Sequence, residues 1–541
     1  MAKKNTLVRN ASILMVASVI SRIIGLIYRR PLGEVLGSVG LGYYGYASNL
    51  YSILLLISSY SIPMAVSKIV SERLATKQYM NAHKVFRCAL LYAVIIGGIT
   101  ALITFFLGGY LLPANQQNAL PALRVLAPTI FLSAILGVFR GYFQAHRTMT
   151  PTSISQIAEQ IVNAIVSILA AYIMISAFAP GGGVGAYIFG AVGGTMGTAS
   201  GVIAGLAFML FVFFLNRGFF RRRMAKDRYG ETETTGDIFK VILLMVTPVI
   251  LTTFINNASM YLDSYLYSSI QGFHGIDADA ISAAYGEFSN YYIPLINVPM
   301  ALASASAAAL MPEVSGRYAL NDYSGTNNAI RQSTRFTMFI CMPCMLGMTF
   351  LARPFMQLLF PASSETASNL LMAGSLYIFF TAMTTISGCV LQSVGKQRTA
   401  MINAAIALGL NILTLAIMLF AAPQLDIYAV MIANILFSVF YWILNNISIR
   451  KYLGYRHEIV RGYLLPLAAS GIACGGAWAV YELLARLTRR PSIAIIIAVL
   501  LAIVVYLIIY PMITRTQEEE LVTFPLGRKW AAVLRKLRIY R

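Results

Sequence analysis

Charge is scarce in this sequence. Asp, Glu, Lys and Arg make up 11% of 541 residues, against about 25% in an ordinary soluble domain. With 58% hydrophobic residues, that scarcity excludes a soluble globular chain and leaves an integral membrane protein. Acidic residues are rarer still, 20 against 41 basic ones, for a formal net charge of +21. The positions of the basic residues, given below, tie that excess to membrane topology, so no nucleic-acid partner is expected.

Other absences narrow the function. No nucleotide-binding loop of the G-x-x-x-x-G-K type occurs, so any transport would draw on an ion gradient, the membrane potential or downstream consumption. The longest polar stretch, Arg217 to Gly236, is too short to house a soluble catalytic domain. The cysteines are Cys88, Cys341, Cys344, Cys389 and Cys474, all in apolar segments. Cys341-Met-Pro-Cys344 has redox or metal spacing but no second ligand pair nearby, so neither metal nor cofactor is expected. The N-terminus puts Lys3, Lys4 and Arg9 before an apolar run, without a small-residue cleavage site. It is read as a retained first span rather than a signal peptide.

What the chain has is apolar runs. A spanning helix needs about 20 apolar residues. Windows of that size predict fourteen spans, near 10–30, 43–67, 86–111, 121–143, 153–178, 185–215, 239–268, 281–311, 328–352, 367–393, 400–421, 427–448, 462–485 and 492–513. If both termini are cytoplasmic, 33 of the 41 basic residues fall on that side, as the positive-inside rule requires. Arg486, Arg489 and Arg490 are the clear exception. The tail from 514 to 541 contains "GRKWAAVLRKLRIYR". Its Trp530, Val533, Leu534 and Leu537 share a helical face between Lys and Arg, which suits the anionic inner leaflet.

The sequence repeats itself. "YGYASNLY" from Tyr44 and "YGEFSNYY" from Tyr285 agree at five of eight positions, at an offset of 241. Ile62-Pro63-Met64-Ala65 resembles Val298-Pro299-Met300-Ala301, and Gln144 before a basic turn resembles Gln392. Three matches in the same order indicate duplication. The offset spans an even number of helices, so the copies share one orientation, as in parallel-repeat transporters. The expected organisation is an N-terminal lobe over 1–216, a cytoplasmic connector over 217–238 and a C-terminal lobe over 239–449. Two further spans (450–513) and the basic tail follow.

The rare charges at membrane depth are the candidate site. "SVISRIIGLIYRRPLG" carries Arg22 inside an apolar run and Arg29 and Arg30 at its end. A charge at the bilayer centre costs roughly 3 kcal/mol on insertion scales, so such residues face a cavity or each other. Adding 241 to Arg22 lands on Asp263, and in the second copy of the repeat Glu287 replaces Tyr46. The reading is a cavity with Arg22 on one wall and Asp263 and Glu287 on the other. A salt bridge that only staples the lobes together is the alternative. Pro63, Pro248, Pro294, Pro299 and Pro343 interrupt apolar helices and would bend them.

The motifs "SRIIGLIYRRPLGEVLG", "SIPMAVSKIVSE" and "GVFRGYFQAHRTMTPTSISQIAEQIVN" resemble the multidrug/oligosaccharidyl-lipid/polysaccharide (MOP) exporter superfamily. The branch is that of polysaccharide biosynthesis proteins, with stage V sporulation protein B and lipid II flippases of the MurJ type. The resemblance implies an all-α polytopic fold of about fourteen spans, in two six-helix bundles plus two C-terminal helices that often frame a lipid-accessible groove. It implies that first-span arginines bind an anionic substrate. Arg22 matches the Ser-Arg motif, and Tyr28 stands where more distant lipid II flippases often carry a second arginine, with Arg29 one step on. The expected substrate residues are therefore Arg22, Arg29, Asn49, Glu287 and Asn290, with Asp263 and Glu287 for ion coupling. The implied activity is flipping of a lipid-linked oligosaccharide pyrophosphate across the bacterial cytoplasmic membrane, by a monomer. A cation-coupled multidrug exporter on the same fold is the alternative. A membrane glycosyltransferase or ligase using Asp277-Ala278-Asp279 is a more distant one.

Overall fold

The computed structural model describes residues 17–60, 62–146, 148–514, 530–532 and 535. Every regular element among them is helical: Ala17–Ile27 (α1), then Arg29–Leu55 (α2), Ile62–Ala75 (α3), Tyr79–Leu111 (α4), Leu120–Ala145 (α5), Thr150–Phe178 (α6) and Gly183–Leu215 (α7). Arg217–Met224 (α8), Thr235–Phe273 (α9), Ala278–Glu287 (α10), Ile293–Ala319 (α11), Tyr323–Phe350 (α12) and Ala352–Leu359 (α13) follow. The last are Glu365–Gly374 (α14), Leu376–Ser393 (α15), Gln397–Ala421 (α16), Ile427–Leu453 (α17), Leu465–Thr488 (α18) and Pro491–Thr514 (α19).

By length and apolarity, eleven helices among the described residues can cross a membrane, or twelve if α12 and α13, bent by 83°, make one span. Fourteen were expected. The expected first span, 10–30, begins outside the described residues, and its described part, α1, is too short to be counted. Arg29 to Ala75 is a single helical stretch of 47 residues, and the expected loop between the first two spans is compressed into one residue. Gly37 takes φ 66° and ψ 173° inside α2, a left-handed conformation that costs glycine little. The helix kinks there without a polar segment. Arg29 and Arg30, expected at the end of the first span, open α2 and precede the kink.

The described chain divides into two compact units. The first runs to Asn290 and takes in Leu415–Val430; the second holds Tyr291–Thr414 and the chain from Met431 onward. In the first unit, rings from α4, α5, α7 and α8 stack into an aromatic core, with Phe86 4.3 Å from Tyr142 and Phe213 5.6 Å from Phe220. The connector after α8 is strapped to the α3–α4 turn. Arg73 Nε donates to Glu233 Oε1 at 2.5 Å, Arg87 pairs with Glu231 at 2.7 Å, and Asn81 Nδ2 donates to Thr232 Oγ1 at 2.9 Å. The connector ends where Thr234 caps α9, accepting from Asp237 N at 3.1 Å.

In the second unit α12, α18 and α19 pack together. Tyr506 OH donates to Phe339 O at 2.9 Å, and Trp530 Nε1 donates to Leu507 O at 3.0 Å, with its ring 5.3 Å from that of Phe339. Trp530 is thus seated on the helix core; Val533, Leu534 and Leu537 of the expected amphipathic tail lie outside the described residues. Pro343 lies inside α12, and Cys341 and Cys344 flank it as free thiols.

Candidate functional site

The two copies of the repeat meet each other. The arm of α2 after Gly37 packs on α10 with backbone against backbone. A Cβ on Gly42 would collide with Ser282 O, and one on Gly286 with Ser38 O. Small residues at a crossing let two helices approach this closely, which is how helices associate where lipid supplies no hydrophobic drive. The rings follow suit: Tyr46 stacks on Tyr285 at 4.2 Å.

The repeat-equivalent asparagines each reach into the other copy. Asn49 Nδ2 lies 2.9 Å from Met260 O, 3.0 Å from Ser264 Oγ and 2.9 Å from Tyr285 OH. Asn290 Nδ2 donates to Leu41 O at 2.9 Å and is 3.0 Å from Ser289 Oγ. Both asparagines are buried, and a buried amide without such partners would be costly. The pattern therefore accounts for Asn at both positions.

Arg29 joins this cluster through a helix defect. Phe288–Tyr292 is a π-turn between α10 and α11, and Pro294 follows it. Proline has no N–H. In an α register it cannot serve the carbonyl of residue 290, and in a π register it cannot serve that of residue 289. Arg29 Nη1 donates to both, at 3.0 Å to Ser289 O and 3.2 Å to Asn290 O, with Asn290 Oδ1 at 3.4 Å. π-turns inside helices occur frequently at functional sites. Among the described residues, Nε and Nη2 of Arg29 make no hydrogen bond, so a half-buried guanidinium is fixed by one corner and keeps its other donors.

The expected residues fall as follows. Arg29 and Asn290 touch directly. Asn49 is bonded to Tyr285 and Ser264, and so reaches the neighbours of Glu287 and Asp263. Asp263 and Glu287 are buried, at 1% and 5% exposure. Arg22 is exposed on α1; the offset of seven positions from it to Arg29 is two helical turns, about 10 Å, on one face. Sequence reasoning passed over several partners. Tyr43 OH donates to Asp279 Oδ1 at 2.5 Å, and Asn118 Nδ2 to Tyr43 OH at 3.0 Å. Tyr267 OH donates to Asp426 Oδ1 at 2.5 Å. These bonds also account for the acidic pair named for a glycosyltransferase or ligase: Asp277 caps α10, accepting from Asp279 N at 3.0 Å, and Asp279 accepts from Tyr43.

The family described as "Polysaccharide biosynthesis protein" matches residues 7–316, and that described as "MatE" matches residues 248–417. Lipid II flippase MurJ of Bacillus subtilis (strain 168) is 24% identical over 489 residues, covering 86% of this chain and 87% of its own. Stage V sporulation protein B of the same organism is 23% identical over 482 residues, covering 87% and 88%. Among solved structures, a lipid II flippase MurJ in an inward closed conformation aligns with a TM-score of 0.64 at 15% identity, over 92% of this chain and 98% of its own. An inward-facing multidrug resistance MATE family transporter of the MOP superfamily gives 0.64 at 14% identity, over 80% and 95%. At these identities the structures establish the fold.

Proposed function

The chain belongs to the polysaccharide biosynthesis protein family, and from that premise we propose that it flips an undecaprenyl-pyrophosphate-linked sugar, lipid II or a polysaccharide precursor, across the bacterial cytoplasmic membrane by alternating access. It is a multi-pass membrane transporter of the MOP superfamily, not an enzyme. Two six-helix lobes with both termini cytoplasmic and a monomeric state complete the proposal.

One observation carries it: Arg29 held by Ser289 and Asn290 with donors left over. A pyrophosphate is at least dianionic, and a planar guanidinium offers its oxygens two parallel donors. Fixing one corner by main-chain carbonyls orients the rest, so little side-chain entropy is lost on binding. Arg22, two turns away, supplies a second cation on the same face. The sugar head stays among polar groups while the prenyl tail stays in lipid.

The buried carboxylates of Asp263 and Glu287 support the second reading, a cation-coupled multidrug exporter. Growth separates the two. Cells depleted of their own lipid II flippase should be rescued by this protein and not by its Arg22→Ala form at equal membrane level. Drug resistance conferred without rescue would favour the exporter.

A further inference from the structure

The second unit holds a polar pocket of its own. α12 ends at Phe350, the chain turns by 83° and α13 begins at Ala352. The bend opens a pocket of about 480 Å³ against α14 and α18, lined by Arg353, Gln357, Asn369, Trp478, Tyr481 and Glu482 among others. Its volume falls in the range of small-molecule sites, roughly 300–1,000 Å³. A second hollow of about 310 Å³ continues it past Arg353 and Gln357 to Ser364 and Glu365.

The lining contrasts with an apolar cavity nearby, which shares none of these six residues. Here the carboxylate of Glu482, which accepts from Arg486, shares the lining with two amides, a guanidinium and the rings of Phe350, Trp478 and Tyr481. Trp478 lines the pocket and is 48% exposed. A hydrocarbon tail would leave the amides and the guanidinium without partners, at a cost in desolvation. A sugar ring matches both parts: its C–H face lies on an aromatic ring, and its vicinal hydroxyls pair with planar amide, carboxylate and guanidinium groups. Arg353 already has a partner in Glu365, but both side chains are more than half exposed, and such pairs contribute little. Arg353 can exchange that partner for a ligand acceptor.

We propose that this pocket binds a saccharide, the sugar portion of a membrane glycolipid. The inference deepens the flippase reading, since the same glycan head would visit both places. Its test involves no transport, so failure here leaves the Arg29 reading standing, and failure of flipping leaves this one. Full-length protein carrying Trp442→Phe and Trp530→Phe keeps Trp478 as its single tryptophan. In detergent it is titrated with N,N′-diacetylchitobiose, and separately placed in nanodiscs with and without anionic phospholipid. A saturable change in Trp478 emission with the disaccharide is expected. Asn369→Ala or Gln357→Ala should weaken it about tenfold, as loss of one well-placed hydrogen bond does. The proposal is overturned if the disaccharide gives no saturable change, if both variants bind as the parent does, or if only the phospholipid alters the emission.

Discussion

Arg29 Nη1 donates to the main-chain oxygen of Asn290 at 3.2 Å across 261 positions of sequence, and that oxygen is the one Pro294, four residues on, has no N–H to serve. A proline defect in one repeat is thus completed by an arginine from the other. The arginine gains a fixed orientation from the exchange.

The first prediction follows from that completion. Arg29→Ala should lower the melting temperature, because it strips the donor from the main-chain oxygen that Pro294 cannot serve, at about 1–3 kcal/mol for a buried group left unsatisfied. Pro294→Ala returns an N–H to the same place. The double variant should therefore be more stable than Arg29→Ala alone, with a coupling of about 1 kcal/mol or more in a double-mutant cycle. Additive losses would mean that the two residues do not serve one another.

The glycine crossing gives a second. Gly42→Ala and Gly286→Ala each drive a methyl into main chain rather than into a movable side chain. Overpacking costs about 1–3 kcal/mol even where side chains can adjust, so membrane level and melting temperature should drop in both. Gly409→Ala, whose methyl meets nothing within 4 Å among the described residues, should be neutral or mildly stabilising. Equal behaviour of the three would remove the close crossing from the account.

The third concerns Asp277. As an N-cap it tolerates Asn and not Ala: Asp277→Asn should be near neutral, and Asp277→Ala should cost roughly 0.5–2 kcal/mol. Transport should be indifferent to a chelator. A metal ligand would behave otherwise, with both variants impaired and activity lost to EDTA.

The fourth is a pH dependence. His457 lies in the turn before α18, where Tyr463 OH meets its Nδ1 at 2.6 Å and the rings of Trp442, Tyr455 and Tyr463 surround it. Glu458, paired with Arg331 and Arg335, is the next residue. Burial pushes the imidazole down to about 4 from its ordinary 6.5. The unfolded chain then takes up a proton that the folded chain refuses between those values. Its stabilising contribution is full above pH 6.5 and is lost as pH falls toward 4. Thermal melts should show that loss, and His457→Gln should flatten it. An unchanged slope in the variant would assign the acid sensitivity elsewhere.

The sequence made some of this legible and hid the rest. Asn49 and Asn290 could be paired because the repeat preserves them at a constant offset, and a repeated polar residue at membrane depth needs a partner. Asp263 and Glu287 stood out because carboxylates are so rare in apolar runs. The kink at Gly37 was invisible, since one left-handed glycine bends an apolar helix without a polar segment to mark it. The arm of α2 beyond it packs on α10, so the pairings of Tyr43 with Asp279 and of Arg29 with Ser289 could not be read either. Asp279 drew attention only through its spacing to Asp277, and its partner tyrosine stood 236 positions away. Pro294 did carry a signal: a proline four residues after a repeated asparagine leaves a carbonyl in need of a donor.

The most direct test is transport in proteoliposomes, with the Arg29→Ala/Pro294→Ala protein beside the parent. The helix defect is repaired in that variant, so it should melt near the parent and isolate the guanidinium's role in binding. Flipping of a fluorescent lipid-linked sugar pyrophosphate should fall at least tenfold, the cost of losing about 1.4 kcal/mol of charge-assisted hydrogen bonding. A folded double variant that flips the same lipid at the parent's rate would contradict the claim that Arg29 reads the pyrophosphate.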